Sequence, residues 1–396
     1  MSLDILRGVA VLGILVMTIQ SYAMPWAASI NPTVFENLED INFYVWLLSH
    51  VFANEKFMAI FSMLFGATII LISQKARKEH LRSGDFQYRR FFWLFVIGVF
   101  HAYLLWAGDI LVIYAICGFF MFVFRSKKKE YLFRAGLIFL FIGSLLKFIF
   151  AYSIPFWEPG QFEALKAEVW APDSQAVAEE IDYYTSSWER QMLIRAPQAF
   201  KMQTKVFISE TFWRVSGLIL FGMGLYKKGV FTGKQSNKFL SKLAVYGLSI
   251  GVPLVVIGVI LDFHDRWDFE KSYFYYSQLN YWGSVAMALG YIGIIVLFCK
   301  AGTKNFLAKK LAAVGQMAMT NYIMQSIICT YAFYGHGFAL FGDLDRAAQA
   351  VAVLSVWIFQ IAFSSIWLSY FQYGPLEWLW RSMSYGKIQR FLKINY

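Results

Sequence analysis

His101 and Asp109 stand eight residues apart in FHAYLLWAGDILVIY, the stretch from Phe100 to Tyr114. The apolar run around them extends from about Phe91 to Phe124. An imidazole in that setting can take up and release a proton near neutral pH. A carboxylate beside it can orient the ring or stabilise its charge. Eight residues make about two helical turns, and a break at Gly108 would instead fold Asp109 back against the preceding helix. Each residue also has a structural reading: His101 as a hydrogen-bonded packing residue, and Asp109 as the N-cap of the next helix.

Other polar groups fall at a comparable depth. At ~1.5 Å of rise per residue, His101 lies roughly 16 Å beyond Arg90. Thr18 and Gln20 in the first apolar run, and Asn321 and Gln325 in the ninth, reach a similar level. His101, Asp109, Asn321 and Thr18 therefore form the candidate catalytic set: a general base, its orienting carboxylate, and two hydrogen-bond donors to a developing oxyanion. Asp4, Arg7 and Lys56 form a second set that could meet an anionic cosubstrate. Asp4 and Arg7 can equally pair on one helix face, with Arg7 snorkelling to the headgroups. Lys56 follows Glu55 and is open to the same structural reading. His336, in YGHGF, reads as an exposed loop residue.

The elements that position these groups follow from composition. Of 396 residues, 58% are hydrophobic and 15% charged. A soluble domain carries about a quarter charged residues, so this surface cannot face water on every side. Apolar runs near the ~20 residues that span a bilayer recur at about 5–24, 57–76, 90–106, 109–125, 131–153, 206–227, 241–263, 280–300, 310–334 and 350–372. The expected fold class is all-α: a polytopic transmembrane bundle of about ten spans, with residues 1–396 as one integral membrane domain. Basic residues cluster in every second loop, at 77–90, 125–129, 227–238, 300–310 and 381–393. The loops between are poor in Lys and Arg, or acidic like Glu36–Asp40. By the positive-inside rule both termini are cytoplasmic. The net charge of +11 is thus topological, and the expected partner is the bilayer, not nucleic acid. Residues 154–205 then form an extracytoplasmic insertion that reads as amphipathic helix. It is either an interfacial cap or a lid over an outward-facing site. Cys117, Cys299 and Cys329 lie in apolar runs without a C-x-x-C partner, so neither a metal site nor a disulfide framework is expected. The sequence carries no Walker loop, G-x-S-x-G, H-E-x-x-H or strand-borne G-x-G-x-x-G. Gly222 and Gly224 allow close helix packing.

The segments LDILRGVAVLGILVMTIQSYAMP, KFMAIFSMLFGA, RRFFWLFVIGVFHAYLLWAGDILVIYAICG, VGQMAMTNYIMQSII and YGPLEWLWRSMSYGK occur in that order. In them the chain resembles the YeiB-like bacterial membrane proteins, which carry domain of unknown function 418. The resemblance covers essentially the whole chain and implies a multi-pass protein of the bacterial cytoplasmic membrane. The opening also resembles a wider group of transmembrane acyltransferases, the heparan-glucosaminide N-acetyltransferases and acyltransferase-3 enzymes. That resemblance implies transfer of an acyl group from cytoplasmic acyl-CoA to an extracytoplasmic or lipid-linked acceptor. Acyl-CoA is then a cosubstrate, with no cofactor held permanently. Arg7 would stand at the cytoplasmic mouth and His101 at mid-depth. The first span has no histidine, unlike the acyltransferase-3 enzymes, and Thr18 stands where other relatives carry Asn. The alternative functions are a proton-coupled transporter or lipid-handling protein, with His101 and Asp109 as a proton relay, and a non-catalytic scaffold. The sequence leaves a homodimer open.

Overall fold

The structure, a computed structural model, describes residues 2–35, 38–78, 83–302 and 305–393. Glu36, Asn37, Arg82 and Lys304, which entered the topological reading, lie outside the described residues.

The chain is all-α. It begins with α1 (Ser2–Ala23), the short α2 (Trp26–Ile30), α3 (Asp40–Phe52) and α4 (Lys56–Lys78). A hairpin of α5 (Ser83–Phe100) and α6 (Leu111–Met121) follows, then α7 (Lys129–Ser153). The insertion contributes α8 (Gln161–Val169), α9 (Ser174–Thr185) and α10 (Trp188–Lys201). The rest of the bundle is α11 (Phe212–Lys228), α12 (Asn237–His264), α13 (Ser277–Ala301), α14 (Phe306–Gln316), α15 (Ala318–Phe333) and α16 (Arg346–Tyr370), closed by the amphipathic α17 (Pro375–Tyr385). Among the described residues, an isolated antiparallel bridge joins Phe371 to Leu392.

Seven helical stretches among the described residues are long and apolar enough to cross a membrane. The expected passages over 90–106, 109–125 and 310–334 are built differently. α5 ends in a π-helical turn, His101–Leu105. α6 has eleven residues, extended by a 3-10 turn at Phe122–Ser126. The ninth passage breaks at Met317 into α14 and α15.

Two further differences concern the loops. Residues 40–52, expected as loop, form α3, which buries Trp46 and Val51 and exposes Ile41, Tyr44 and Leu48. Its thirteen residues are too few to span a bilayer, so a search for ~20-residue runs passes over it. The insertion does not end at 205 with a break. α10 continues through a π-helical stretch, Met202–Thr211, into α11, giving one helical stretch over Trp188–Lys228.

α1 lies at the centre, with Ile5, Leu6, Ala10 and Leu15 fully buried. Its backbone touches that of α14. A Cβ on Gly8 would come within 2.0 Å of the Leu311 carbonyl oxygen, and one on Gly315 within 1.8 Å of the Asp4 carbonyl oxygen. Only glycine permits that approach. The peripheral spans face outward with large apolar side chains, among them Phe141 and Phe148 of α7, Tyr246 and Ile257 of α12, and Leu354 and Ile358 of α16. Such a surface is unstable in water and ordinary in lipid.

Candidate functional site

The α5–α6 hairpin brings His101 and Asp109 together. After the π-helical turn, Trp106 is extended and its amide donates to the His101 carbonyl at 3.0 Å. The chain reverses through Ala107 and Gly108, so Asp109 returns beside the ring. His101 Nδ1 lies 2.8 Å from Asp109 Oδ1, and Asp109 Oδ2 accepts the Val112 amide at 2.7 Å. The two alternatives for Asp109 therefore coexist: one oxygen meets the imidazole and the other caps the start of α6.

A third member comes from α15. Ser326 Oγ is 2.8 Å from His101 Nε2 and 2.7 Å from the Tyr22 hydroxyl of α1. An ionised carboxylate only accepts hydrogen bonds. This assigns the imidazole proton to Nδ1 and leaves Nε2 to accept from Ser326, whose oxygen accepts in turn from Tyr22. His101, Asp109, Ser326 and Tyr22 are 2%, 5%, 0% and 1% exposed, so little water screens the chain of bonds. The Trp106 ring stacks on Tyr22 at 4.2 Å, and the Tyr322 ring lies 5.1 Å from His101. The Tyr322 hydroxyl also accepts the Ile110 amide at 3.2 Å.

The insertion is latched to this hairpin. Arg195 Nη2 of α10 donates to the Leu104 and Leu105 carbonyls at 2.8 and 2.7 Å, and Trp188 Nε1 donates to Leu104 at 3.3 Å. These carbonyls sit at the helix terminus, where intrahelical partners run out.

The other candidates are placed elsewhere. Asn321 faces α16: its side-chain nitrogen donates to the Val314 carbonyl at 3.0 Å and to Ser364 Oγ at 2.9 Å. Gln325 donates to the Val11 carbonyl and to Gln360. Tyr322 and Ser326, four residues apart, occupy the face toward His101; Asn321 and Gln325, also four apart, occupy another. Thr18 Oγ1 bonds the Ile14 carbonyl of its own helix at 3.1 Å. Arg7 bonds Asp4 at 3.3 Å and Thr68 of α4 at 2.8 Å. Lys56 is buried at the opposite end of α4, on the His50 carbonyl at 2.8 Å and Asn280 at 2.6 Å. Twelve residues of helix, ~18 Å, separate it from Thr68, so Lys56 and Arg7 do not share a site.

Arg7 instead lines a cavity of about 350 Å³ at the end of the bundle where the basic loops gather, with Arg90, Arg381, Trp380, Ile110 and Tyr322. Its inner residues, Ile110 and Tyr322, are those that pack against the His101–Asp109 pair. Arg90 is buried and lies 4.0 Å over the Trp380 ring. Glu377 of α17 caps the broken helix. One oxygen accepts the Met319 and Thr320 amides at 2.7 and 3.0 Å; the other accepts the Thr320 hydroxyl at 2.5 Å. Burial raises the Glu377 carboxyl above its ordinary value, against these hydrogen bonds.

Sequence reasoning missed Ser326, Tyr22, Arg195 and Glu377. A signal existed for two of them. Ser326 follows Tyr322 by one turn, and Tyr22 follows Thr18 by one turn, but hydroxyls in spans are too common to single out without knowing which face is turned inward.

Fold and site together define a polytopic α-helical membrane protein whose bundle buries a hydroxyl–imidazole–carboxylate relay. A family model described as a protein of unknown function, DUF418, matches residues 225–387. The chain is 28% identical to the uncharacterized protein YeiB of Escherichia coli, over 97% of this chain and 95% of that protein. It is likewise 28% identical to YxaH of Bacillus subtilis, over 97% and 93% of the two chains. An uncharacterized 39.9 kDa protein of Bacillus acidopullulyticus is 27% identical, over 98% and 94%. Over nearly its whole length the chain is similar to these YeiB-like proteins, and the DUF418 model matches its C-terminal part. No solved structure matches it. The relay joins Ser326, inside the matched region, to His101 and Asp109, which precede it.

Proposed function

We propose that the chain is a transmembrane acyltransferase of the bacterial cytoplasmic membrane. It passes an acyl group from acyl-CoA, on the side of the basic loops and both termini, to a hydroxyl or amine that is extracytoplasmic or lipid-linked. The observation that carries this reading is His101, held out of water between Asp109 and Ser326 at 2.8 Å each. The cavity lined by Arg7, Arg90 and Arg381 approaches it from the basic end.

Nε2 accepts the proton of an attacking hydroxyl as its oxygen bonds the thioester carbonyl carbon. The C–S bond then breaks, and the imidazolium returns that proton to the departing thiolate. Ser326 is the hydroxyl in place for a first attack. An acceptor hydroxyl or amine then attacks the Ser326 ester through the same base and regenerates the serine. Asp109 fixes the tautomer and stabilises the imidazolium. The three guanidiniums suit the donor's phosphates, since arginine pairs with phosphate in a bidentate manner. Asn321 and Thr18 take no step in this scheme, and Lys56 no part in donor binding. The LDILRG opening, similar to that of known transmembrane acyltransferases, adds to it.

Incubation of the purified chain with isotope-labelled acetyl-CoA tests the reading. The expected result is a covalent label on Ser326 that is lost in Ser326→Ala and in His101→Ala. A folded protein that binds no acyl-CoA overturns it. One observation favours a second reading, proton-coupled transport. Helices broken at membrane depth line the substrate sites of many transporters, and the break at Met317 adjoins the cavity. Flux driven by a proton gradient in proteoliposomes, without acyl-CoA turnover, would select it.

A further inference from the structure

A second, larger cavity lies on the insertion side of the bundle. It measures about 1150 Å³, above the roughly 300–1,000 Å³ of most small-molecule pockets. Its walls are α7, the π-helical stretch Met202–Thr211 and the insertion helices. Six of the ten residues of that stretch line it: Met202, Lys205, Val206, Ile208, Ser209 and Glu210. π-helical segments are rare and concentrate at functional sites.

Position along the membrane normal narrows the occupant. Leu146 and Phe150 of the wall lie roughly 26–32 Å along α7 from Lys129 at ~1.5 Å per residue. That is the far boundary of a hydrocarbon layer about 30 Å thick. Phe150 and Ile208 are 47% and 68% exposed, so the cavity wall runs on into the lipid-facing surface. Apolar side chains of α7 and the π-helical stretch line this part beside the Lys147–Glu210 pair. Glu179 and Glu180 come from α9, which roofs the space.

Charged groups of both signs line the cavity, with one carboxyl in excess. Three lysines and four glutamates line the cavity. Lys147 pairs with Glu210 at 3.5 Å and lies 3.7 Å over the Tyr273 ring. Lys201 pairs with Glu168 at 2.5 Å. Lys205, Glu179 and Glu180 remain; Glu179 accepts Gln175 at 3.0 Å and Glu180 accepts the Trp26 amide at 3.0 Å. A head bearing one phosphate and one ammonium matches one lysine facing carboxylates. A purely anionic head would meet more carboxylates than lysines.

We propose that this cavity binds a zwitterionic membrane lipid from the leaflet on the insertion side. Its acyl chain lies between α7 and the π-helical stretch, and its head beneath α9. The site requires no acyl transfer and stands independently of the proposed activity.

The test uses the full chain in lipid nanodiscs containing phosphatidylethanolamine with a photoactivatable group on the acyl chain. Cross-linked peptides are mapped by mass spectrometry, and unlabelled phosphatidylethanolamine or phosphatidylglycerol is added as competitor. The expected label concentrates on residues 146–150 and 202–213 and is competed by phosphatidylethanolamine in preference to phosphatidylglycerol. Val206→Trp, which fills the cavity, lowers it about tenfold. Met202→Trp replaces that variant if its melting temperature collapses. Glu180→Gln keeps the label and weakens the preference between heads. Label spread evenly over the lipid-facing residues of α12 and α16, and unchanged in the filled variant, overturns the site. Equal competition by phosphatidylglycerol overturns the zwitterionic assignment.

Discussion

α12 and the α5–α6 hairpin cross similar surroundings and solve different problems. α12 runs continuously over Asn237–His264, satisfies its interior backbone within the helix except at Pro253, which has no N–H to donate, and presents Tyr246, Ile250 and Ile257 to lipid. The hairpin abandons helical geometry at membrane depth and leaves carbonyls and amides to be satisfied by other groups. Charged side chains do this: Arg195 takes the Leu104 and Leu105 carbonyls, and Asp109 takes the Val112 amide. The break between α14 and α15 repeats the pattern, with Glu377 on the Met319 and Thr320 amides. The interrupted passages are also those that carry His101, Asp109 and Ser326. In lipid an unsatisfied backbone group costs several kcal/mol. Irregular backbone therefore persists only where ionic side chains hold it, and such places can also hold a relay.

The largest expected effect is on the relay. Asp109→Asn keeps the size of the side chain but removes the charge that fixes the imidazole. Acyl-CoA turnover should fall about 10²–10⁴-fold, the range typical of general-base losses, with a much smaller change in melting temperature. Unchanged turnover would leave the hairpin a purely structural device.

Next comes Arg195→Ala. It strips the Leu105 carbonyl of its donor and leaves the Leu104 carbonyl only Trp188, at about 1–3 kcal/mol in all, and should lower denaturation midpoints in detergent accordingly. A loss below about 0.5 kcal/mol, the scatter of neutral surface changes, would erase the contrast with α12.

A comparable effect is expected from pH. Burial moves the Glu180 carboxyl up from 4.5 to about 7. The folded state then holds this proton more tightly than the unfolded chain does. The stability it contributes is full below about pH 4.5 and is lost as pH rises through 7. The decline should be on the order of 3 kcal/mol, read by thermal denaturation across that window, and Glu180→Gln should flatten it. Smallest of all is Ile257→Ala on the lipid face of α12, expected within about 0.5 kcal/mol. A large loss there would mean that the face is covered by protein and not by lipid.

Much of this molecule could be read without coordinates, and the limit has a physical form. Run length and the alternation of basic loops are properties of the chain itself, set by bilayer thickness and charge. They gave the all-α bundle and the seven uninterrupted passages among its described residues. The pairing of His101 with Asp109 was also legible, because eight residues and a glycine confine it to one hairpin. The break at Met317 was not, since neither proline nor a glycine pair marks it; it depends on α17 bringing Glu377 to the new helix start. Nor could the sequence choose between Gln325 and Ser326. Adjacent helical residues point about 100° apart, and only the docking of α15 against α1 and α5 turns Ser326 toward the imidazole and Gln325 away. The bonds that complete the relay span 225 and 304 residues of chain. Chain-local signals thus determined the spans and half of the site. Helix rotation, which is set by packing of the whole bundle, decided the rest.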